Sequence, residues 1–374
     1  MTSQPCAWAF VVFLAWSGSV CAWGYQGHEV IGSIADQLLG AHAKQQVAEI
    51  LGFELRVAGP WADCVKSVHR LCDFESRCED DASTESGEHH PFQYSYLLDP
   101  NHPEYRIPCT PFENSQETAR MQDYAKRNWS SCTPLPCNQQ YHYAEVAKQH
   151  DGYDSSYAGT SDHDIVSAVN AAVLVLTNPT AKSPPPFSIH DQKEALLLLA
   201  HFVGDLHQPL HVGAIYLDPS GIPANPDLNT QKDTATGTEG GNAICINPAA
   251  NLHYEWDAIP SDLHLDQEFR ADAALVQRAQ AVLPTLGEPE AFAKLWASDT
   301  VVASHSAFDD LTFKALTPPK GSSVKCFNHS NPKSLWIVSF KDQDSYLKAQ
   351  DNLKRDQIAK AGARLAQLLN AIWP

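Results

Sequence analysis

Two segments of the chain repeat one spacing of residue types that bind metal ions. His201 and Asp205 are four residues apart in AHFVGDLHQPLH, and His253 and Asp257 are four residues apart in NLHYEWD. In an α-helix this spacing places both side chains on one face, one turn apart. Imidazoles and carboxylates together suit a Zn²⁺ site that keeps open coordination positions. With His211, which follows a proline turn, the two pairs predict a metal site.

The residues around His201 indicate that this site is buried. Apolar side chains flank the histidine in LLLLAHFV, so a helix here has no solvated face. An aspartate such as Asp205 is costly to bury unless it is paired or binds a metal ion. His207 lies in the same block, and we predict that it packs beside the site or supports a ligand.

Composition and charge limit the possible classes of function. Hydrophobic residues make up 43% of the 374 residues and charged residues 19%, which excludes an intrinsically disordered chain. The formal net charge is −18, and there is no run of lysines or arginines. This excludes a protein that binds nucleic acid mainly through basic side chains. A polyanionic substrate would need bound cations as its source of positive charge.

The N-terminal segment predicts export. Ala7–Val20 is apolar and uncharged but shorter than the roughly 20 residues that span a bilayer. The small residues Val20 and Ala22 form a cleavage pattern, so residues 1–22 are predicted to be a signal peptide. The mature chain would begin at Trp23 and be secreted or periplasmic. No later stretch has the apolar length of a spanning helix, and we expect no membrane partner.

Cysteine usage supports an oxidising compartment. Of the ten cysteines, Cys6 and Cys21 fall in the predicted signal peptide. The remaining ones are Cys64, Cys72, Cys78, Cys109, Cys132, Cys137, Cys245 and Cys326. Their even number favours four disulfides, whose pairing cannot be read from the sequence, and the first six lie close together in a stapled, loop-rich insertion. Sequons at Asn128 and Asn328 predict N-glycosylation.

Hydrophobic periodicity predicts a mainly α fold. Helices are predicted over residues 29–39, 42–51, 162–176, 190–207, 252–257, 271–283, 289–307 and 346–372. Few stretches alternate as strands do, and residues 60–157 show weak periodicity. No repeat or linker divides the chain. We therefore predict a single helical domain over residues 23–374 with long disulfide-bearing loops.

The motifs together resemble those of a known family, the secreted zinc-dependent nucleases of the S1/P1 (mung-bean-nuclease) type. The resemblance rests on WGYQGH from Trp23, WAD from Trp61, HFVGDLHQPLH, GGN from Gly240, and NLHYEWD. Their order and much of their spacing match over most of the mature chain. The zinc-dependent phospholipases C are structural relatives of this family. The resemblance implies a helical domain of the phospholipase C/nuclease type with three zinc ions per chain.

The resemblance also implies which residues bind these ions. The implied ligands are Asp63, His142, His201 and Asp205 for one zinc, His211, His253 and Asp257 for a second, and His28, Asp205 and Trp23 for the third. Trp23 would bind through its carbonyl oxygen and its free α-amine after signal cleavage. Such an amine has a pKa of about 8, so a metal ion deprotonates it readily.

One implied ligand leaves alternatives open. Tyr141-His142-Tyr143-Ala144-Glu145 fits the family pattern of a histidine, an aromatic, an apolar residue and an acid or amide only loosely. Phe92-Gln93-Tyr94 lies nearer the family spacing from Asp63 but has no imidazole, and the other rivals are His69, His89 and His90. If His142 is the ligand, Tyr143 is a candidate for stacking on a substrate base.

The resemblance implies a reaction at phosphorus. Zinc lowers the pKa of bound water toward about 7 and so supplies a nucleophile for in-line attack on a phosphodiester. Asp63, Lys66 and Asp205 are the predicted catalytic residues. Lys66 stands where the family commonly has an arginine at the phosphoryl group, but it lacks the bidentate fork of that residue. Asn242 is a candidate phosphate contact.

The predicted substrates are single-stranded DNA and RNA, cleaved to 5′-phosphate products, with 3′-nucleotidase activity as a further candidate. A phospholipase C is the first alternative, although that relative has a glutamate where this chain has Asp257. A secreted metal-binding protein without catalysis is the second alternative. We expect a monomer without a stable protein partner. Assays on single-stranded DNA and on phosphatidylcholine separate the first two hypotheses.

Overall fold

Helices make up most of the structure, a computed structural model that describes residues 23–70, 92–94, 103–129, 132, 136–248, 250–317, 326 and 335–374. The α-helices are α1 (Gly24–Leu38), α2 (Ala41–Leu51), α3 (Leu55–Ala58), α4 (Trp61–Val65), α5 (Ser115–Arg127), α6 (Cys137–Gln140), α7 (Ile165–Thr177), α8 (Gln192–Asp205), α9 (Pro209–Val212), α10 (Leu252–Asp257), α11 (Ala273–Gln280), α12 (Pro289–Ser304) and α13 (Gln343–Ile372). Short 3₁₀ helices span Pro103–Phe112, Glu239–Gly241 and His305–Ala307. The mainly α fold predicted from the sequence is confirmed.

Helix α8 is buried along most of its length. Its first turn is capped by Asp191, whose carboxylate accepts a hydrogen bond from the backbone N–H of Glu194. All residues from Ala195 to Asp205 are buried, because α8 packs against α1, α3, α7 and α13. A helix that is apolar on all sides requires such surroundings. Packing therefore encloses His201 and Asp205 in the protein interior.

A four-stranded sheet leads into α10. The strands of the structure are β1 (Val68–Arg70), β2 (Phe92–Tyr94), β3 (Val146–Ala147), β4 (Gly213–Ala214), β5 (Tyr216–Leu217), β6 (Thr236–Gly237), β7 (Ile244–Asn247), β8 (Ala250–Asn251), β9 (Leu311–Leu316) and β10 (Leu335–Phe340). The sheet order is β8-β7-β10-β9, with β10 parallel to β7 and antiparallel to β9. At the end of β8, Asn251 caps α10 by accepting a hydrogen bond from Tyr254 N–H. The sheet thus fixes the start of the helix that carries His253 and Asp257.

The cysteine-rich segment contains more helix than its sequence predicts. Helix α5 has few apolar residues, yet it buries Met121, Tyr124 and Ala125 against α4 and β2. Tertiary contacts stabilise this helix, since it has few apolar residues of its own. Within the described residues, disulfides join Cys64 to Cys109, Cys132 to Cys137, and Cys245 to Cys326. Cys72 and Cys78 lie outside the described residues.

The side chain of Asn128 is buried and fully hydrogen-bonded. Its Nδ2 donates to Tyr124 O and Ser188 O, and its Oδ1 accepts from Ser188 N–H and Tyr141 O–H. The folded structure therefore leaves no place for the glycan predicted at Asn128. Asn328 lies outside the described residues. No helix in the part of the chain that the structure describes combines the length and hydropathy needed to cross a membrane.

Candidate metal centre

Three groups of histidine and aspartate side chains converge in the interior. In each group the possible ligand atoms lie within 4.8 Å of one another, and every member is buried. We call them the Asp63 group (Asp63, His142, His201), the His28 group (His28, His201, Asp205) and the His211 group (His211, His253, Asp257). Seven of these eight residues lie on helices α1, α4, α8, α9 and α10, and the eighth, His142, follows α6. The structure thus brings together residues from 28 to 257 of the chain.

Asp205 joins the first two groups. Its Oδ1 lies 3.2 Å from Nε2 of His28. Its Oδ2 lies 2.9 Å from Nδ1 of His142 and 3.1 Å from Nε2 of His201. The side chain is fully buried, so each oxygen faces only these neighbours and others of the interior. One carboxylate can therefore serve two adjacent cations.

Backbone carbonyls orient three of the histidines. Nδ1 of His201 lies 2.7 Å from Gly59 O, Nδ1 of His211 lies 2.8 Å from His142 O, and Nδ1 of His253 lies 2.8 Å from Gly240 O. A carbonyl oxygen accepts, so each ring donates from Nδ1 and directs Nε2 toward the other ligands. Metal-binding histidines typically make such a contact through their second nitrogen. In His142 the inward nitrogen is instead Nδ1.

Burial and neighbouring charges set the protonation of the Asp63 and His28 groups. Burial, with Lys66 nearby, lowers the pKa of His142 to about 3. Burial opposes ionisation of Asp63, but Lys66 and His201 outweigh it and lower the pKa of this carboxyl to about 2. Burial likewise opposes ionisation of Asp205, and His201 and His211 outweigh it, so its pKa also falls. A neutral imidazole and two carboxylates are the forms that bind metal ions.

The His211 group differs in its carboxyl group. Burial lowers the pKa of His211, and burial with His211 nearby lowers the pKa of His253 to about 3. Burial raises the pKa of Asp257 well above its usual range. A bound cation favours the ionised carboxylate and so reverses this shift. The two histidines are therefore neutral and able to bind a cation, whereas the Asp257 carboxyl group needs a positive charge nearby to ionise.

Several inward atoms have no hydrogen-bond partner among the residues that the structure describes. They are Nε2 of His211, Oδ2 of Asp257 and Oδ2 of Asp63, all buried. A buried polar atom without a partner costs about 1–3 kcal/mol, and a charged one costs more. A cation among these atoms would bind the lone pairs that hydrogen bonds leave unused. The donor set thus fits metal ions, and its nitrogen and oxygen composition suits zinc.

The first described residue lies against α8 beside the His28 group. The Trp23 side chain is buried, and its indole N–H donates to Gly204 O at 2.9 Å. The ring of His28 stacks on that of His201 with centroids 3.8 Å apart. A Cβ atom at Gly204 would lie 2.9 Å from Nδ1 of His28, so only glycine allows this approach of α1 to α8. The packing therefore brings Trp23 and His28, two predicted metal ligands, to the same part of α8.

The predicted substrate-contacting residues border these groups. Nζ of Lys66 lies 2.7 Å from Oδ1 of Asp63, and its side chain is 24% exposed. Burial, with Glu145 and Glu239 nearby, raises the pKa of Tyr143. The half-buried Asn242 donates from Nδ2 to Glu239 O, which closes the turn that contains Gly240. Lys66 therefore contacts the Asp63 group directly, whereas Asn242 supports the backbone that orients His253.

The other candidates for the ligand position of His142 either lie in strands away from the ligand groups or fall outside the described residues. Backbone pairing joins β1, which contains His69, to β2, which contains Phe92-Gln93-Tyr94. His89 and His90 lie outside the described residues. His142 alone among these candidates belongs to a described ligand group.

His207 takes no part in the three ligand groups. Its Nδ1 bonds to Val203 O and its Nε2 to the guanidinium of Arg364, while its ring packs on Trp296. It therefore holds α8 against α12 and α13.

A fourth cluster of possible ligands has a different character. Asp123, His190 and Glu194 lie near one another, but Asp123 and His190 are exposed. Arg127 pairs with both acids, at 2.8 Å from Asp123 and 2.7 Å from Glu194. A guanidinium already supplies the positive charge there. This cluster is an ion-pair network that joins α5 to α8.

Three supporting residues are not identified by the sequence alone. Gly59 and Gly240 supply carbonyl oxygens to histidines, and Gln208 donates a hydrogen bond to Asp257. Gly240 begins the GGN motif and Gly59 lies two residues before the WAD motif, which is a faint signal. Gln208 stands between two histidines in a buried block, where an amide needs partners. Only the tertiary contacts show which partner each residue has.

The fold and site define a helical protein whose buried histidine and aspartate groups can hold metal ions. A family model described as S1/P1 Nuclease matches residues 110–374. The chain belongs to the S1/P1 nuclease family. Trp23, His28, Asp63 and Lys66 lie before the matched segment.

Curated relatives agree with this assignment. Endonuclease 5 of Arabidopsis thaliana is 25% identical over 187 residues, which are 48% of this chain and 51% of that protein. Endonuclease 1 of the same plant is 27% identical over 192 residues, 49% of this chain and 51% of that protein. Endonuclease 2 is 31% identical over 140 residues, 35% of this chain and 37% of that protein. The chain spans about half the length of the first curated relatives it matches.

Proposed function

We propose that this chain is an exported zinc-dependent nuclease that hydrolyses phosphodiester bonds in single-stranded DNA and RNA to 5′-phosphate products. Activity as a 3′-nucleotidase would use the same site. The observation that carries the proposal is the convergence of the three buried ligand groups, with His201 shared between two of them and Asp205 in contact with His142 of the Asp63 group. Family membership supports phosphodiester hydrolysis. The identity of the metal as zinc, the number of ions per chain and the preference for single-stranded nucleic acid are what the proposal adds to family membership.

The proposed ligand sets are those that the family resemblance implies, and the three buried ligand groups support them. One zinc ion would be held by Asp63, His142, His201 and Asp205. A second would be held by His211, His253 and Asp257, and the third by His28, Asp205 and Trp23. When bound, the ions would supply positive charge to the phosphate and lower the pKa of bound water. Positive charge from these sites would offset the net charge of −18, which otherwise disfavours a polyanionic substrate.

Residues at the border of the site would orient the substrate. Lys66 is exposed enough to reach a phosphoryl oxygen while Asp63 holds its ammonium group. Tyr143 offers an aromatic face for stacking by any base, which suits a site that accepts both DNA and RNA. Asn242 would contribute an amide to the phosphate. Unpaired strands present their bases for such stacking, whereas a duplex buries them.

The proposed zinc site at Trp23 requires removal of residues 1–22. The buried Trp23 side chain and its hydrogen bond to Gly204 O support the position of this site, because they hold the start of α1 against α8. Cleavage after Ala22 would place a free amine there. The disulfides are compatible with secretion, since they form in oxidising compartments. N-terminal sequencing of the exported protein should find Trp23 first, and another start would exclude the proposed third site.

The proposal is tested with the exported, purified protein. We expect about three zinc ions per chain by elemental mass spectrometry, cleavage of single-stranded DNA and RNA in preference to duplex DNA, and loss of activity in EDTA. Phosphatidylcholine and a 3′-nucleotide serve as parallel substrates. Cleavage of the lipid alone would support a phospholipase C instead. Zinc binding without hydrolysis of any substrate would support a metal-binding protein without catalysis.

A further inference from the structure

The side chain of Gln208 connects two parts of the candidate metal centre. It is fully buried, and both ends of its amide are used. Nε2 donates to Oδ1 of Asp257 at 2.7 Å, and Oε1 accepts from Leu210 N–H at the start of α9. The first contact reaches a member of the His211 group on α10. The second caps the short helix that carries His211.

The backbone of Gln208 adds two further connections. Its N–H donates to Asp205 O at 2.9 Å, and its carbonyl accepts from His211 N–H at 3.0 Å. A single residue therefore joins the end of α8, the helix of His211 and the helix of Asp257. These contacts link α8, which carries His201 and Asp205, to the two helices of the His211 group.

The hydrogen bond to Asp257 engages one of its two oxygens. Oδ1 accepts from Gln208 and lies 3.8 Å from Nε2 of His211. Oδ2 is buried, has no hydrogen-bond partner among the described residues and lies 3.4 Å from Nε2 of His253. Rotation of the carboxylate would break the bond to the amide. Of the natural side chains at this reach, glutamine offers a donor for the carboxylate and an acceptor for the backbone N–H.

We propose that Gln208 is a positioning residue that fixes the carboxylate of Asp257 so that Oδ2 is presented to a metal ion in the His211 group. The inference rests on the proposed function, because it presumes a metal ion there. Gln208 itself does not bind the ion. Hydrogen bonds to ligating carboxylates orient them, and their loss typically lowers metal affinity about 10–100-fold.

Two substitutions separate this role from capping of α9. Gln208→Met has similar length but removes both amide contacts. Gln208→Asn keeps a favourable N-cap side chain but is one methylene too short for the contact with Asp257. Gln192→Met is the matched control, because Gln192 lies at the other end of α8 and donates one side-chain hydrogen bond to Leu176 O.

The measurement is zinc bound per full mature chain after dialysis against buffers of defined free Zn²⁺. Both Gln208 variants should bind zinc at the His211 group about 10–100-fold more weakly, with the other zinc ions retained, and Gln192→Met should match wild type. In Co²⁺-substituted protein at saturation, the absorption bands of this site should change in the Gln208 variants. Unfolding in EDTA reports stability without metal.

Three results would overturn the inference. Wild-type zinc affinity in Gln208→Asn would assign the residue to capping alone. Unchanged Co²⁺ spectra, or equal loss of all ions together with lowered stability in EDTA, would assign it a structural role. Absence of zinc from the wild-type protein would contradict the proposed function itself, so the two failures are distinguishable.

Discussion

The substitution Asp205→Asn tests the arrangement of the site most directly. It keeps the shape of the side chain but removes the charge and replaces one oxygen by an NH₂ group, which cannot bind a cation. The oxygens of Asp205 lie 2.9–3.2 Å from nitrogens of His142, His201 and His28. Because these histidines belong to two ligand groups, we expect two zinc ions to be weakened together.

The size of the effect follows from that sharing. Loss of a contact that merely orients a ligand weakens metal binding about 10–100-fold, so loss of a ligand should cost at least about 10-fold. Applied to both groups, this is about 100-fold, or about 2.8 kcal/mol at about 1.4 kcal/mol per factor of ten. Asp257→Asn should weaken one ion only, because Asp257 belongs to the His211 group alone.

The assay combines zinc content, measured against buffers of defined free Zn²⁺, with turnover of single-stranded DNA. Asp205→Asn should lose two ions and nearly all activity, and Asp257→Asn should lose one ion. Asp164→Asn is the matched control, because Asp164 is a buried N-cap of α7 outside the ligand groups, and asparagine caps about equally well. Asp205→Asn protein with wild-type zinc content and turnover would refute the shared-ligand reasoning.

Three further predictions concern substrate contact, pH and disulfides. Lys66→Met should lower kcat/KM about 100-fold if the ammonium stabilises the phosphoryl group, while Lys66→Arg should retain most activity in the same nuclease assay. Burial, with Arg364 nearby, lowers the pKa of His207 to about 3, so the unfolded chain binds one more proton between about pH 6.5 and 3. Stability is therefore lost as the pH falls through that range, by about 1.4 kcal/mol per pH unit, and urea titrations should show this dependence reduced in His207→Gln. Replacing Cys64 and Cys109 by alanine should lower the free energy of unfolding by about 4 kcal/mol in urea denaturation, because their disulfide closes a loop with a sequence separation of 45.

The main helices and two ligand pairs follow from local sequence. Apolar spacing and capping residues predict α8 and α10 within a few residues of their observed bounds. Once these helices exist, a separation of four residues places His201 beside Asp205 and His253 beside Asp257. The geometry of the helix determines the distance within each pair, so the sequence alone is enough to predict it.

The formation of other elements depends on tertiary contacts that the local sequence pattern does not show. Helix α5 is polar overall and is stabilised by packing on α4 and β2. Strand β10 (LWIVSF) shows no clear apolar–polar alternation, and β8 has only two residues. The buried state of Asn128 likewise depends on Tyr141 and Ser188, which are distant in the chain. A sequon reports neither burial nor hydrogen bonding.

The sequence by itself determined the kinds of ligand, their pairing within helices and the family to which they belong. The tertiary structure decided how the pairs meet. Asp205 faces His28 and His142 only because α1 and the segment after α6 pack against the end of α8. Gly59, Gly240 and Gln208 support ligands through single hydrogen bonds across the fold. Such contacts depend on the packing of many side chains at once, whereas spacing along a helix depends on the backbone alone.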